Sequence, residues 1–229
     1  MLFVVDNFIK DQDLIDQIKN DDSFFPSEMD GENIGQTNNY YHDEKADCYA
    51  PYMFWDGWWN SPANSLRKKV VELIWSDPLV ANLLDVNEVE GFEYWCRTFT
   101  PGQYLDIHVD EDTFAYAKDR TFNAPFVGCV WYGFSDNTGS FLELHDGRIE
   151  GSPENALEQE HIRPLLSPPG EVERIRSVPN RLVVFEAGRR IHNATAVTSG
   201  KRQVMVVNVW HKNSPPSALN TGDFYYEGV

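Results

Sequence analysis

The chain has 229 residues, enough for one sizeable hydrophobic core and compatible with one large domain or two small ones; we expect one, spanning 1–229. With 41% hydrophobic and 14% aromatic residues, the composition excludes a disordered chain. Its 19 basic and 36 acidic residues give a net charge of −17, which would repel a phosphate backbone, so we expect no nucleic-acid partner.

The chain lacks a transmembrane pattern and a cysteine framework. No apolar segment approaches the roughly 18 residues that a membrane span needs, so we expect a soluble, cytoplasmic protein without a membrane partner. Cys48, Cys96 and Cys129 are odd in number and are not spaced as zinc ligands or as disulfide pairs. We interpret them as reduced thiols, and the sequence leaves the oligomeric state open.

The first 90 residues are predicted to form a helical region that packs on the outside of a β core. An amphipathic pattern predicts a helix over residues 11–20, and a longer helix is predicted to begin at Ser61. A short third helix is predicted over residues 79–84. The aromatic segment 49–60 is interpreted as a loop whose rings fill the core, with a substrate-binding patch as the alternative.

After Glu93 the pattern changes to short strands separated by turns, which is typical of a β sandwich or jelly roll with helices packed outside. We therefore expect a mainly β fold with supporting helices (α+β), with its core at 91–212 and a C-terminal tail at 213–229. The polar, proline-rich segment 146–180 is interpreted as an excursion of the kind that forms binding loops. Strands are predicted over residues 94–100, 104–110, 124–134, 140–144, 181–186 and 204–210.

The stretch YLDIHVDED at residues 104–112 contains a candidate metal site. Strand alternation would place His108 and Asp110 on one face, opposite three apolar residues that we expect to face the core. The distant His192 could join them, because two histidines and one carboxylate on one side of a metal are the ligands of non-haem iron(II) oxygenases. A solvated polar strand is the alternative interpretation of the first pair.

Four further motifs make the second half of the chain resemble the iron(II)- and 2-oxoglutarate-dependent dioxygenases, in particular their prolyl 4-hydroxylase-like branch. The match covers roughly residues 93–211. It consists of GQYLDIHVD at 102–110, GSFLEL at 139–144, VPNRLVVF at 178–185 and VTSGKR at 197–202 followed by Trp210.

The resemblance implies a double-stranded β-helix, which is a jelly roll, and a set of site residues. His108, Asp110 and His192 would bind the iron. Arg202 would bind the distal carboxylate of 2-oxoglutarate, a role that suits the rigid, bidentate guanidinium group. The alternative for Arg202 is a surface cation that follows a turn.

One position departs from the family pattern. Many relatives have a tyrosine that contacts 2-oxoglutarate on the strand before HxD, and Phe99 stands at that place here. Tyr132 is a candidate replacement whose hydroxyl could bind the cosubstrate. The neighbouring Trp131 has the opposite parity, and the sequence leaves open which of the two rings faces the cosubstrate.

The resemblance implies an enzyme, an oxidoreductase that uses Fe(II), 2-oxoglutarate and O₂, releases succinate and CO₂ and hydroxylates a C–H bond. The leading substrate is a prolyl residue in a peptide or protein, while a free amino acid or another small molecule stays open. Asp110 favours hydroxylation, because halogenating relatives lack this carboxylate.

Two other functions compete with hydroxylation of such a substrate. A nucleic-acid demethylase of the same superfamily is disfavoured, since such enzymes carry a second arginine where this chain has Asn208. A non-catalytic jelly-roll binding module is the second rival, and the sequence leaves it open.

Overall fold

The computed structural model describes residues 1–25, 40–43, 48–51, 53–57, 63–83, 85–146 and 171–221. Within these ranges it describes only the backbone of 40–43, 48–51 and a few single positions, among them residue 106. The fourteen strands of this part are β1 (Leu2–Val5), β2 (Tyr40–Asp43), β3 (Cys48–Pro51), β4 (Phe54–Gly57), β5 (Val89–Phe99), β6 (Leu105–His108), β7 (Val127–Tyr132), β8 (Asn137–Thr138), β9 (Phe141–His145), β10 (Val172–Arg176), β11 (Leu182–Phe185), β12 (His192–Ala194), β13 (Ser199–Gly200) and β14 (Arg202–His211).

Two antiparallel sheets form the jelly roll. The major sheet has the strand order β1-β11-β7-β14-β5-β4, and the minor sheet has the order β10-β9-β12-β6. Two small two-stranded sheets, β13-β8 and β2-β3, complete the strand pairing of the described part. The inner faces of the sheets share a cluster of buried side chains that includes Val183, Leu144 and Ile175. This arrangement confirms the predicted mainly β, jelly-roll fold class.

The helices are α1 (Gln12–Lys19), α2 (Leu66–Ser76), α3 (Pro78–Ala81), α4 (Thr113–Asp119) and α5 (Ala218–Thr221). Asp11 caps α1 by accepting the backbone N–H of Asp13, and Ser65 caps α2 by accepting that of Lys68. Both helices bury apolar side chains, such as Ile18, against the outer face of the major sheet. Among the described residues, no helix is long and apolar enough to span a bilayer.

The helix predictions are close to the observed bounds. The helix predicted over residues 11–20 is α1, and the one predicted over 79–84 is α3, which begins earlier at Pro78. The helix predicted from Ser61 begins at Leu66, and Ser61 itself lies outside the described residues. Cys96 and Cys129 are buried free thiols, as predicted.

The first 90 residues also contribute strands, so the prediction of a purely helical region was wrong. β1 pairs with β11 and β4 pairs with β5, which makes them the two edges of the major sheet. Each has four residues, too few for alternation to be visible in the sequence. Within the segment 49–60, Trp55 is buried against Trp210, in line with the core-filling interpretation, while residues 52 and 58–60 lie outside the described part.

The predicted excursion at 146–180 also needs correction at its C-terminal end. Residues 147–170 lie outside the described part, but β10 follows them and pairs with β9 at the edge of the minor sheet. Only Ile175 of this strand is buried, and its other residues are exposed and mostly charged. In the sequence the strand therefore has the composition of a loop. The short strand β12, which begins at His192, was not predicted either.

Candidate metal centre

The minor sheet brings His108 and His192 together. β12 pairs with β6 so that these two residues lie directly opposite each other, with ring centroids 4.2 Å apart. Asp110 follows two residues after His108, and its Oδ1 lies 3.5 Å from His108 Nε2 and 3.6 Å from His192 Nε2. One ligand atom from each of the three residues lies within 4.8 Å of the other two. The three predicted metal ligands therefore form one cluster.

Hydrogen bonds orient the members of this cluster. His192 Nδ1 lies 2.8 Å from the carbonyl oxygen of Arg190, which can only accept, so Nδ1 donates there and Nε2 is the nitrogen that faces Asp110. The backbone N–H of Asp110 donates to the carbonyl of Ala187 at 3.0 Å. Phe185 packs edge-on against the His192 ring, with the two ring centroids 4.9 Å apart. Such outer contacts hold metal ligands in place before the metal binds.

The electrostatics of the cluster suit a cation. Burial by itself would raise the pKa of Asp110, but hydrogen bonds and charge interactions with His108 and His192 outweigh it and hold that pKa below its usual range. An ionised carboxylate beside two imidazoles provides one hard and two borderline ligands. Ferrous iron prefers this ligand set when the opposite coordination positions are open.

A cavity of about 880 Å³ lies between the sheets in front of the cluster. β14 forms the floor of the cavity, and its side chains alternate between two sides of the major sheet. Met205, Val207 and Val209 enter the core between this sheet and the helices, which we call the helix-side core. Every second residue, beginning with Arg202, faces the cavity. The cavity-facing residues of β14 are Arg202, Val204, Val206 and Asn208.

Arg202 lies at one end of this floor and is only 2% exposed, so the interpretation as a surface cation was wrong. Its Nη1 donates to Ser140 Oγ at 2.7 Å, and its guanidinium lies 3.8 Å from the centroid of the Phe99 ring. Burial lowers the pKa of Arg202 to about 10. Its Nε is buried without a hydrogen-bond partner among the described residues. A buried cation with an unused donor is poised for an anionic ligand.

Tyr132 lines the same cavity, whereas Trp131 faces the helix-side core, where its Nε1 donates to Asn180 Oδ1. The structure thus answers the question of parity that the sequence left open. Burial raises the pKa of Tyr132 to about 12, so its hydroxyl is a neutral donor. In the strand register Tyr132 lies opposite Val204, two residues from Arg202, so both side chains line the same end of the cavity.

Solved structures are similar to this fold, although no protein-family model and no curated protein matches the sequence. A prolyl-4-hydroxylase from Pseudomonas putida aligns with a TM-score of 0.54 over 92% of this chain and 92% of that one, at 14% identity. A prolyl hydroxylase from Trichoplax adhaerens, in complex with a hypoxia inducible factor oxygen degradation domain peptide fragment, aligns with a TM-score of 0.53 over 93% and 84%, at 13% identity. The chain has the prolyl hydroxylase fold.

One detail of the metal centre differs from the sequence prediction. Of the three apolar residues expected to face the core beside His108, only Val109 is buried, and Leu105 is 37% exposed. β6 is an edge strand that ends at His108, so Asp110 reaches the cluster through the turn that follows and not by strand alternation. The backbone bond to Ala187 holds this turn in place.

Sequence analysis did not select Glu93, a buried carboxyl group that also lines the cavity. The pKa of Glu93 is raised to about 7, mainly by burial and to a smaller extent by the charges of Asp110 and Asp112, against hydrogen bonds from Trp210 and Asn208 that lower it. The only signal in the sequence was an acidic residue between two aromatic ones, Phe92 and Tyr94.

We expect Glu93→Gln to remove a pH dependence of the folding stability. Because the pKa of Glu93 rises from 4.5 to about 7 on folding, the native state holds this proton more tightly. The free energy of unfolding therefore falls as the pH rises from 4.5 through about 7. The total loss is about 3 kcal/mol, since each unit of pKa difference corresponds to about 1.36 kcal/mol. Urea unfolding should find the variant more stable than the parent at about pH 8, with a gain that shrinks towards about pH 5.

The matched control for this measurement is Asp56→Asn. Asp56 accepts a hydrogen bond from the Tyr94 hydroxyl on the helix side of the sheet, away from the cavity. An effect of Glu93→Gln that is equal at the two pH values would contradict the raised pKa of Glu93.

Proposed function

We propose that this protein is an iron(II)- and 2-oxoglutarate-dependent dioxygenase, an oxidoreductase that hydroxylates a C–H bond. The observation that carries the proposal is the convergence of His108, Asp110 and His192 on a cavity whose floor also holds the buried Arg202. The fold shared with prolyl hydroxylases supports it. Fe(II) would bind to the three side chains, with 2-oxoglutarate and O₂ as cosubstrates.

The donor set fits this metal. Two imidazoles and one ionised carboxylate lie on one side, and the cavity lies on the other, so the positions opposite the protein ligands would stay open. With iron bound, the chemistry supplied is the oxidation of 2-oxoglutarate by O₂ to succinate and CO₂, with the second oxygen atom entering a substrate C–H bond as a hydroxyl.

The chain itself would bind and orient the cosubstrate. Arg202 has a planar group of donors, of which Nε is unused, and would bind the distal carboxylate of 2-oxoglutarate. The Phe99 ring lies against the guanidinium and would keep its plane fixed, while the neutral Tyr132 hydroxyl would donate to the same carboxylate. Apolar neighbours such as Val204 and Leu142 would exclude water from this end.

For the substrate we propose first a prolyl residue of a peptide or protein, on the basis of the shared fold and a cavity large enough for several side chains. A free amino acid or another small molecule is the second candidate. Separate pools of prolyl peptides and of free amino acids would distinguish them through the pool that accelerates succinate release.

The experiment that tests the proposed function measures succinate. We expect 2-oxoglutarate to be converted to succinate only with Fe(II) and O₂, and faster with a substrate. The absence of metal-dependent succinate from every pool, together with a melting temperature that metal and 2-oxoglutarate leave unchanged, would instead support a non-catalytic binding module.

A further inference from the structure

The end of the cavity floor remote from Arg202 carries a second polar group. In the strand register, Asn208 of β14 lies opposite Glu93 of β5 on one side and Gly128 of β7 on the other. Arg202 lies six residues earlier on the same face of β14, which is about 20 Å along an extended strand at about 3.3 Å per residue. The floor therefore has two polar ends with apolar valines between them.

The hydrogen bonds of this group fix which atoms remain for a ligand. Glu93 Oε2 accepts from Trp210 Nε1 at 3.0 Å and from Asn208 Nδ2 at 3.3 Å. Because the amide donor must face the carboxylate, Asn208 Oδ1 points away from it. This oxygen has no hydrogen-bond partner in the described part of the chain, although Asn208 is only 2% exposed. Among the described residues, Asn208 Oδ1 is thus a buried acceptor without a donor, and the hydrogen bonds of Glu93 end on Oε2, which leaves Oε1 as a second acceptor.

This polar pair lies close to the metal centre. A Cβ at Gly128 would come within 3.3 Å of Asn208 Oδ1 and would overlap the side chain of Ala187. The carbonyl of Ala187 accepts the N–H of Asp110 at 3.0 Å. Glu93, Asn208 and the three candidate metal ligands line the same cavity.

The charges of the cavity are unevenly distributed. Arg97 and Arg202 both lie over the ring of Phe99, at 4.5 and 3.8 Å from its centroid, so the cations gather at one end. A ferrous ion and Arg202 would be balanced by Asp110 and the two charges of 2-oxoglutarate. The carboxylate of Glu93 lies at the other end of the floor, where its hydrogen-bond partners are the uncharged side chains of Trp210 and Asn208.

We propose that Glu93 and Asn208 form the subsite that recognises a positively charged nitrogen of the substrate, an ammonium or guanidinium group. Two such acceptors match a cation that donates several hydrogen bonds, and reject an anion. Trp95, two residues along β5 on the same face, also lines the cavity, and tryptophan rings attract organic cations. This inference rests on the proposed function and names the substrate class for it.

The competing explanation is a purely structural network in which a buried water satisfies Asn208 Oδ1. Such a network would affect stability when it is altered, but it would not discriminate between ligands by charge. Charge preference is therefore the property to measure.

The test first loads the full-length protein with Mn(II) and an unreactive analogue of 2-oxoglutarate, and checks for a raised melting temperature. Calorimetry then compares ligand pairs in which acetylation removes the positive charge of one nitrogen: L-prolinamide with N-acetyl-L-prolinamide, and a lysine-containing prolyl peptide with its Nε-acetyllysine counterpart. We expect the cationic member of at least one pair to bind about tenfold more tightly or better.

Three variants identify the residues responsible. Glu93→Gln should abolish the preference for the cationic member, Glu93→Asp should retain part of it, and the control Asp56→Asn should leave it unchanged. If Glu93→Gln does not fold, Glu93→Asp with weakened preference supports the same conclusion.

The inference is overturned if the neutral members bind as tightly as the cationic ones, or if Glu93→Gln retains the preference. Failure of every cationic ligand to bind to protein that does bind the metal and the analogue overturns it as well, and leaves the proposed function standing. If the metal and the analogue do not bind at all, the proposed function fails with it.

Discussion

His192→Ala is expected to abolish the rise in melting temperature that Fe(II) and 2-oxoglutarate produce under anaerobic conditions. A ligand at 100 times its dissociation constant stabilises the native state by about 2.7 kcal/mol, which for a protein of this size is about 5–10 °C. Loss of one of three protein ligands removes a coordinate bond and leaves two ligands, so the metal should no longer bind at that concentration. Differential scanning fluorimetry measures the shift directly.

The matched control is His211→Ala, since His211 is bonded to the exposed Glu88 and lies outside the cavity. This variant should keep the full shift. A full metal-dependent shift in His192→Ala would show that the metal binds elsewhere.

Arg202→Met is expected to weaken the binding of 2-oxoglutarate without destabilising the fold. In the presence of Fe(II), the variant should need at least about 100-fold more 2-oxoglutarate for half-maximal succinate production, because removal of one partner of a buried charge pair costs about 3–5 kcal/mol. Without ligands it should be as stable as the parent or more stable, since methionine removes a buried donor that has no partner. Loss of the bond to Ser140 would offset part of this gain.

The neighbouring exposed cation serves as the control. Lys201→Met, one residue earlier, should change neither the half-saturating concentration of 2-oxoglutarate nor the stability by much. Two results would assign Arg202 a structural role. One is an unchanged half-saturating concentration of 2-oxoglutarate in Arg202→Met, and the other is a larger loss of stability in the ligand-free protein than in the protein with ligands bound.

The parts of the fold that the sequence predicted are those with a local signal. β5 and β14 have ten or more residues rich in β-branched and aromatic side chains, and α1 has both a capping aspartate and an apolar face. The metal ligands were also accessible, because HxD is a local motif and His192 lies between two stretches typical of the family. The prediction of these elements therefore needed no knowledge of the tertiary structure.

The remaining elements depend on tertiary pairing. β1, β4 and β10 are short edge strands that are ordered by their neighbours, so their own residues lack a strand period. The contact between Glu93 and Asn208 joins residues 115 positions apart and exists only in the observed register of β5 and β14. A shift of one residue would have turned both side chains to the other face. No single-sequence pattern encodes such a register.

The cavity thus has a division of labour along one pair of strands. Arg202 lies at one end and Glu93, the proposed acceptor of a cationic substrate, at the other, while the histidine and aspartate cluster lies on the facing sheet. Such a floor can hold an anionic cosubstrate and a cationic substrate at once without placing like charges together.

The most direct test of the metal centre is a crystal structure of the protein with Mn(II) and an unreactive 2-oxoglutarate analogue, with the metal located by anomalous scattering. We predict one metal ion bonded to His108 Nε2, His192 Nε2 and an Asp110 carboxylate oxygen, at about 2.0–2.2 Å, the distance typical of nitrogen and oxygen ligands in such sites. A metal ion bound at another position, or none at this cluster when the analogue occupies the cavity, would contradict the assignment.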